Sequence, residues 1–195
     1  CQLEEGGEDS IYVHGPAGSG KSHLLQSCCQ GDDAATLYLP LAQLREFSPE
    51  DVLQGVEAQD RLCLDDLDTI AGDSGWERAL FNLCNRARQS GCRMVFAAAS
   101  APRALDITLP DLASRLSWGV VFQLPRPHDA DKSAVLQFRA RRRGLSLAPA
   151  VADFIVARAP RDMHKLLKLL DRLDRASLEQ KRALSIPFVK ETLDW

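Results

Sequence analysis

The sequence predicts an α/β domain with a parallel five-stranded sheet, followed by a small domain that is entirely helical. Three observations predict this fold: a glycine-rich loop between a strand and a helix, alternating strands and helices up to residue 125, and no strand pattern after it. Such alternation is typical of parallel sheets with helices on both faces. We therefore predict a base domain over residues 1–125 and a helical domain over 126–195.

The glycine-rich loop fits the phosphate-binding pattern G-x-x-x-x-G-K-[ST], and it reads Gly15-Pro16-Ala17-Gly18-Ser19-Gly20-Lys21-Ser22. A buried strand is predicted before it, over residues 10–14, and a helix that includes His23 is predicted over 20–30. The backbone N–H groups of such a loop, with the N-terminus of the helix, bind phosphate oxygens. Lys21 is expected to reach the β- and γ-phosphates, and Ser22 to bind Mg²⁺. The alternative is a glycine-rich turn without function, which the agreement of strand, loop and helix disfavours.

The next strands are predicted over residues 36–41 and 61–65, with a helix over 49–57 between them. The run 61–65 is apolar and ends in two carboxylates, Asp65 and Asp66. In P-loop nucleoside triphosphatases a neighbouring strand delivers an aspartate to the Mg²⁺. Asp65 is our candidate for that ligand, and Asp66 is a candidate to orient or deprotonate the attacking water. Ordinary surface carboxylates at a strand end are the alternative.

The remaining elements follow from hydrophobic periodicity and from proline positions. In the base domain we predict helices over 75–90 and 110–116 and strands over 93–99 and 119–124. Most of the strands are continuously apolar, which predicts burial on both faces. Pro125 and Pro127 then interrupt regular structure. Beyond them the pattern predicts four helices, over 129–143, 149–159, 161–180 and 186–193.

The composition favours an intracellular protein. The chain has 195 residues, of which 45% are hydrophobic, so that it can bury a substantial core. No apolar run approaches the ~18 residues that a membrane span needs, and no secretory signal is present. The six cysteines form no C-x-x-C pair, which favours reduced thiols. Because the chain begins at Cys1, we expect a truncated N-terminus.

The net charge of −3 is divided unevenly along the chain. Residues 1–125 contain 9 Lys and Arg against 18 Asp and Glu, whereas residues 126–195 contain 15 against 9. The first part is therefore acidic, with a net charge of −9, and the second is basic, with +6. The basic part attracts phosphates, a nucleic acid or an acidic partner, or else it complements the acidic part of the same chain.

The loop, the two carboxylates and the helical C-terminal part together resemble the AAA+ class of P-loop proteins. Asp111-Leu-Ala-Ser-Arg115-Leu-Ser-Trp118-Gly119 is similar to the box that carries the arginine finger in the bacterial replication initiator DnaA and its relatives. The segment 161–167 resembles the one that carries the sensor-2 arginine at the start of a lid helix. Further segments are similar to the DnaA-homologous regulatory inactivators of replication initiation, the Hda family: 72–77, 109–116, 173–178 and 184–193.

This resemblance implies a regulator that binds ADP or ATP and associates with the DNA-loaded sliding clamp. Such proteins stimulate hydrolysis of the ATP held by DnaA and so prevent re-initiation of chromosome replication. In that mechanism Arg115 reaches the nucleotide of a neighbouring AAA+ subunit, and its guanidinium stabilises charge in the transition state. Arg161 would contact the protein's own nucleotide from the lid. The alternatives are a helix-end Arg115 bonded to carbonyls or to Asp111, and a surface Arg161; Trp118 is assigned to core packing.

The sequence also departs from the pattern of its relatives. Related proteins place a polar sensor-1 residue at the end of the fourth strand, where this chain has Ala99, with Ser100 next to it. At most weak intrinsic ATPase activity is therefore expected. The clamp-binding peptide of the family is not recognisable after Cys1-Gln2-Leu3. In DnaA a helix-turn-helix domain beyond the lid reads the origin sequence; its absence here argues against sequence-specific DNA binding, and contact with DNA is expected to be indirect.

Two other functions are compatible with the motifs. The first is an autonomous ATPase of the helicase-loader type, which would remodel a DNA complex with its own hydrolysis. The second is a small-molecule P-loop kinase, which the Arg115 box and the helical lid do not support. The leading hypothesis remains a trans-acting regulator in the bacterial cytoplasm, associated with the replisome at the nucleoid. A homodimer that hides Arg115 stays open.

Overall fold

The computed structural model describes residues 10–29, 34–160 and 162–195. The chain divides into two units, Cys1–Pro125 and Arg126–Trp195, which we call the base domain and the lid. Within the described residues, none of the helices combines the length and the apolar character that crossing a membrane would require.

The base domain contains a parallel sheet of five strands, in the order β2-β3-β4-β1-β5. This confirms the predicted sheet. Strands β1, β3 and β4 are largely buried, whereas β2 and β5, at the edges, are partly exposed. Continuous burial was thus a wrong prediction for the edge strands, because an apolar run does not reveal a strand's position in the sheet. The strands are β1 Ser10–His14, β2 Thr36–Pro40, β3 Arg61–Asp65, β4 Arg93–Ala98 and β5 Val120–Gln123.

Five α-helices connect these strands in the described part of the base domain: α1 Lys21–Cys28, α2 Leu41–Leu44, α3 Pro49–Leu53, α4 Ser74–Ser90 and α5 Pro110–Leu116. Several predicted elements were too long, and two of them show the reason. The strand predicted over 36–41 ends at Pro40, because Leu41 already begins α2. The helix predicted over 49–57 ends at Leu53, because Gln54 adopts extended backbone.

Helices cover both faces of the sheet. On one face, α4 and α5 bury the larger apolar cluster against the strands, with Trp76, Leu80 and Leu83 fully or almost fully buried. On the other face, Leu25 of α1 packs against a smaller cluster from the central strands: Ile11, Val13, Cys63, Val95 and Ala97. Burial of this apolar surface is the main favourable contribution to folding. The layered α/β fold therefore follows the predicted architecture.

The described part of the lid contains four helices: α6 Asp129–Arg142, α7 Pro149–Arg158, α8 Met163–Gln180 and α9 Ile186–Leu193. The hydrophobic periodicity that predicted the third of them corresponds to a buried face, since Leu166, Leu170 and Leu173 are buried in the lid core. Asp162 caps α8 by accepting a hydrogen bond of 2.9 Å from the N–H of Lys165. The cap explains why α8 begins at 163 rather than at 161.

Glu77 is a buried carboxylate that joins α4 to the segment before α5. It accepts hydrogen bonds from the N–H of Gly72 (2.8 Å), the N–H and hydroxyl of Thr108 (3.0 and 2.7 Å) and the N–H of Leu109 (2.8 Å). These hydrogen bonds outweigh the effect of burial and lower the pKa of Glu77. Because α5 begins at Pro110, directly after Thr108 and Leu109, the hydrogen bonds of Glu77 fix the position at which this helix begins.

We predict that Glu77→Gln destabilises the protein by about 2–3 kcal/mol at pH 7, because an amide leaves buried N–H donors without an acceptor. The free energy of unfolding in urea measures this loss. The folded-state pKa is depressed, so the stabilisation by Glu77 is present above the unfolded value of about 4.3 and is lost as the pH falls through the folded value. The difference between wild type and variant should therefore shrink in acid. The exposed Glu46→Gln serves as the control, and an equal loss in both variants would contradict the assignment.

Candidate functional site

The phosphate-binding loop follows the carboxyl end of β1 and leads directly into α1. The N–H of Gly15 donates to the carbonyl of Ala98 at the end of β4, and the N–H of Ser19 closes a turn to the carbonyl of Pro16. Gly20 has φ +95, a left-handed conformation that favours glycine, and it immediately precedes the first turn of α1. The local sequence thus bends the backbone so that the N-terminus of α1 faces the loop.

The residues of this loop fit a phosphate group. The hydroxyl of Ser19 is buried and has no hydrogen-bond partner among the described residues. At Gly20 the space that a Cβ would occupy is open, with no atom within 4 Å. Unpaired N–H groups at the start of a helix and a positive helix end favour an anion. The donors and the space that the loop offers therefore match the chemistry of a phosphate.

Lys21 lies across this loop. Its ammonium donates to the carbonyl of Gly15 at 2.7 Å and to that of Pro16 at 3.1 Å. Ser22 follows in the first turn of α1 and is half-buried, and His23 is exposed beside it. Pro16 is half-buried, whereas three further loop residues are exposed: Ala17, Gly18 and Gly20. The positive charge and the Ser22 hydroxyl are thus held at the same helix start.

Asp65 is fully buried at the carboxyl end of β3. It accepts hydrogen bonds from the hydroxyl of Tyr38 at 2.7 Å and from the N–H of Asp66 at 3.0 Å. Burial and the nearby Asp65 raise the pKa of Tyr38 to about 12, so the hydroxyl remains protonated and donates at neutral pH. Strand β4 lies between β3 and β1. Strand β3, which was predicted to lie next to β1, is therefore separated from it by β4. Both strands nevertheless end at the same edge of the sheet.

Asp66 adopts a left-handed backbone conformation, with φ 58. Burial is the largest cause that raises the pKa of Asp66, followed by the charges of Asp65 and Asp68, while Lys21 opposes the shift. A carboxylate with a raised pKa is a better proton acceptor than an ordinary one. The structure thus brings Asp66 within the electrostatic reach of Lys21, at the edge where the phosphate-binding loop lies.

The segment after β4 contributes backbone rather than side-chain polar groups to this edge. The N–H of Ala99 donates to the carboxylate of Asp68, and the hydroxyl of Tyr12 donates to the carbonyl of Ser100 at 2.9 Å. Sequence reasoning did not assign a role to Asp68 or to Tyr12. Asp68 follows Asp65 and Asp66 closely in sequence, and this proximity could have indicated that Asp68 belongs to the same site. The contact of Tyr12, by contrast, depends on strand pairing.

Arg115 lies near the C-terminal end of α5, against aromatic side chains. Its guanidinium carbon is 3.9 Å from the ring centroid of Trp118 and 5.8 Å from that of Phe81. Within the described residues no carboxylate pairs with Arg115, so the alternative in which it bonds to Asp111 is not observed. Trp118 is 54% exposed, and the prediction that it packs in the core is wrong. The guanidinium, rather than the core, is its neighbour.

Arg115 and the phosphate-binding loop lie at opposite edges of the sheet. Arg115 and Trp118 line a cleft of about 220 Å³ together with residues at the amino ends of the strands: Ser10, Cys92, Met94 and Gly119. The loop, by contrast, follows the carboxyl end of β1 at His14. A five-residue strand spans about 16 Å. The base domain therefore presents its arginine on the side away from its own phosphate-binding loop.

Arg161, the predicted sensor-2 residue, lies outside the described residues, as does the segment 1–9. The structure brings Lys21, Ser22, Asp65 and Asp66 to one edge of the sheet and Arg115 to the other. Sequence reasoning missed several side chains around these groups: Tyr38 beside Asp65, and Phe81 and Arg88 beside Arg115 and Trp118. None of the three belongs to a motif, and only the packing of α4 and β2 reveals them.

Comparison with known proteins identifies relatives of this chain. A family model described as the lid domain of Hda matches residues 129–193. An uncharacterized protein of Haemophilus influenzae is 43% identical over 188 residues, which cover 94% of this chain and 81% of that protein. The first match is confined to the lid, whereas the second extends over both domains.

Solved structures show the same fold. Domain III of the Thermotoga maritima replication initiation protein DnaA has a TM-score of 0.81 at 20% identity, covering 99% of this chain and 86% of that one. AMPPCP-bound DnaA from Aquifex aeolicus has a TM-score of 0.67 at 20% identity, and the match covers 88% of this chain and 58% of that one. The Thermotoga maritima Holliday junction branch migration motor RuvB has a TM-score of 0.72 at 16% identity, and the match covers 95% of this chain and 61% of that one. These similarities confirm the predicted AAA+ fold, and the lid match shows that residues 129–193 form an Hda lid domain, so that the chain is an Hda-like, DnaA-homologous AAA+ protein.

Proposed function

We propose that this protein is a regulatory nucleotide-binding AAA+ protein that stimulates hydrolysis of DnaA-bound ATP, together with the DNA-loaded sliding clamp. The conversion of DnaA to its ADP form would prevent a second initiation of chromosome replication. The observation that carries this proposal is the position of Arg115, which has no carboxylate partner among the described residues and lies at the sheet edge opposite the phosphate-binding loop. An arginine in this position is suited to act on the nucleotide of another subunit.

The protein's own nucleotide, ADP or ATP, would be held by the phosphate-binding loop. The loop N–H groups, the N-terminus of α1 and Lys21 are the anion-binding groups, and the buried Ser19 hydroxyl adds a donor. Ser22 and Asp65 are the oxygen donors that this edge offers to Mg²⁺, the metal that accompanies nucleotide phosphates in such sites. AMPPCP is bound in the DnaA of Aquifex aeolicus, which shares the fold. Arg161 is proposed to contact this nucleotide from the lid.

Arg115 is proposed to act in trans. A guanidinium directed at a transferring phosphoryl group stabilises the charge that develops on the phosphoryl oxygens. An arginine supplied by an activator contributes roughly 10³–10⁵ in rate in GTPases. Asp66 is the candidate for orienting water at the protein's own nucleotide. Ala99, at the sensor-1 position, provides no polar side chain there, which supports at most weak turnover by this chain alone.

The proposed partners are DnaA and the clamp, the latter reached through an N-terminal segment. Contact with DNA would be indirect, through the clamp, and a homodimer that covers Arg115 is compatible with this arrangement. The basic charge of the lid, +6 over residues 126–195, favours acidic or phosphate-bearing partners. We place this activity in the bacterial cytoplasm, at the replisome on the nucleoid.

One observation favours a second function, an autonomous ATPase of the helicase-loader type. Lys21, Asp65 and Asp66 lie together at the loop edge, which is the arrangement that hydrolysis by the protein itself would need. This function predicts appreciable ATP turnover in the absence of DnaA. It also predicts that the turnover depends on Lys21 rather than on interaction with an initiator.

We predict that Arg115→Ala removes the stimulation of DnaA. With ATP prebound to DnaA and the clamp loaded on DNA, the stimulated hydrolysis rate should fall at least 10³-fold, as expected for a lost arginine finger. Affinity for nucleotide should not change, because Arg115 lies away from the loop. The control is Arg103→Ala, which removes an exposed arginine elsewhere in the base domain. Full stimulation by Arg115→Ala, or loss of its nucleotide affinity, would exclude the finger role.

We predict that Lys21→Ala weakens binding of ADP with Mg²⁺ about 10- to 100-fold, the loss expected for a charged hydrogen bond. Calorimetric titration measures the affinity, and the stabilisation of the protein by saturating ADP should fall correspondingly. Arg103→Ala again provides the control. Unchanged ADP affinity in Lys21→Ala would refute the assignment of the loop, and strong ATP turnover that only this variant abolishes would favour the loader-type ATPase.

A further inference from the structure

We infer that Trp118 is a positioning residue for Arg115: its exposed indole holds the guanidinium by its flat face and leaves the N–H donors free for a phosphoryl group. This inference rests on the proposed function of Arg115 and adds a device that presents the arginine. A positioning residue acts through another group, so its contribution should appear in the maximal rate rather than in the affinity for the partner.

The geometry supports this role. The guanidinium carbon of Arg115 is 3.9 Å from the ring centroid of Trp118, a distance typical of a stacked cation–π contact. Trp118 remains 54% exposed, although tryptophan is a large apolar side chain that is usually well buried. Its exposed surface is therefore available on the same side of the domain as the arginine. A residue that served only the core would be covered by the fold.

The backbone holds Trp118 in this place. The N–H of Trp118 donates to the carbonyl of Arg115 at 3.1 Å and so closes the turn at the end of α5. Gly119 follows, and a Cβ there would lie 1.9 Å from the carbonyl oxygen of Ser10. The chain is therefore tightly packed against the start of β1 directly after Trp118. The ring and the arginine are thus attached to the sheet by the same short segment.

An aromatic holder suits an arginine finger better than a carboxylate does. A carboxylate would take two of the guanidinium N–H groups and neutralise much of the charge. A ring face orients the guanidinium plane but leaves the five donors along its edge available. Within the described residues Arg115 has no carboxylate partner, so the charge that the transition state needs is retained.

The surroundings of the stack preserve the positive charge as well. Burial raises the pKa of the Cys84 thiol to about 12 and that of Cys92 to about 11, so neither thiol forms an anion at neutral pH. Arg88 lies 4.9 Å from the centroid of the same indole and adds a second positive charge to the cleft. A cleft whose described lining contains two guanidinium groups and no carboxylate attracts the phosphates of a partner's nucleotide.

The test compares Trp118→Leu, which removes the ring face, with Trp118→Phe, which keeps one. With ATP prebound to DnaA, Trp118→Leu should lower the maximal stimulated rate about fivefold or more, whereas Trp118→Phe should stay within about twofold of wild type. The concentration of this protein that gives half-maximal stimulation should not change. Phe47→Leu, which replaces another exposed aromatic residue of the base domain, is the control and should keep the full rate.

A spectroscopic measurement tests the stack without nucleotide or partner. In the wild-type protein the side-chain protons of Arg115 should show an upfield ring-current shift in NMR spectra, assigned by their loss in Arg115→Ala. This shift should disappear in Trp118→Leu and persist, reduced, in Trp118→Phe. Absence of the shift in the wild type would overturn the inference.

The outcomes separate this inference from the proposed function. If Arg115→Ala abolishes stimulation while Trp118→Leu keeps the full maximal rate, the finger role stands and the positioning role is overturned. An effect of Trp118→Leu on half-maximal concentration alone would overturn it in favour of a docking contact. Combining both substitutions gives a further criterion: Trp118→Leu should cause no additional loss when Arg115 is already alanine. If both single variants stimulate DnaA fully, the finger role of Arg115 fails and the positioning role fails with it, whereas absence of stimulation by the wild type would overturn the proposed function itself.

Discussion

The parallel pairing of β1 between β4 and β5 is the constraint on which the rest of the base domain depends. Its residues pair with β4 from Ser10 to His14, and with β5 from Ile11 onward. Because β1 is an interior strand with three buried residues at its middle, its two ends are fixed in space relative to the helices on either face. The carboxyl end delivers the phosphate-binding loop, and the amino end contacts the segment after α5. One short strand thus connects the two candidate functional regions.

The polarity of the sheet separates those regions. In a parallel sheet all carboxyl ends lie at one edge, so the loop after β1 and the carboxylates after β3 meet there. Arg115 and Trp118 lie beside the amino ends, at the other edge. The groups proposed to hold the protein's own nucleotide and the arginine proposed to act on another one therefore lie on opposite sides of the base domain. Contact between subunits would bring an arginine of one to the nucleotide of the next.

The buried charged groups of the base domain differ from the partly exposed Arg115 in how their charge is compensated, and the difference has a physical reason. Asp65 and Glu77 are buried, and each is held by hydrogen bonds because an unpaired buried charge is strongly destabilising. Arg61, also buried, donates to the carbonyl of Cys28 at 3.2 Å. Arg115 lies against aromatic faces at a partly open cleft, where water contributes to its solvation. It can therefore keep its charge without a carboxylate partner.

The sequence by itself determined the features that depend on short stretches of chain. The strand–loop–helix signature around Lys21, the alternation up to residue 125, and the apolar face of α8 are local patterns, and the predicted fold class and helical lid are confirmed. The roles of Asp65, Asp66, Arg115 and Arg161 came from spacing and resemblance, and they remain predictions. Helix and strand ends deviated by a few residues where caps and backbone turns decide them.

Only the tertiary structure decided the features that depend on strand order and packing between distant residues. An apolar pattern is the same for a central strand and an edge strand, so the exposure of β2 and β5 was not predictable. Trp118 was assigned to core packing, whereas its contact with Arg115 depends on where α5 and the segment after it pack against β1. The opposite placement of Arg115 and the loop likewise follows from the direction of the strands, which a linear motif does not encode.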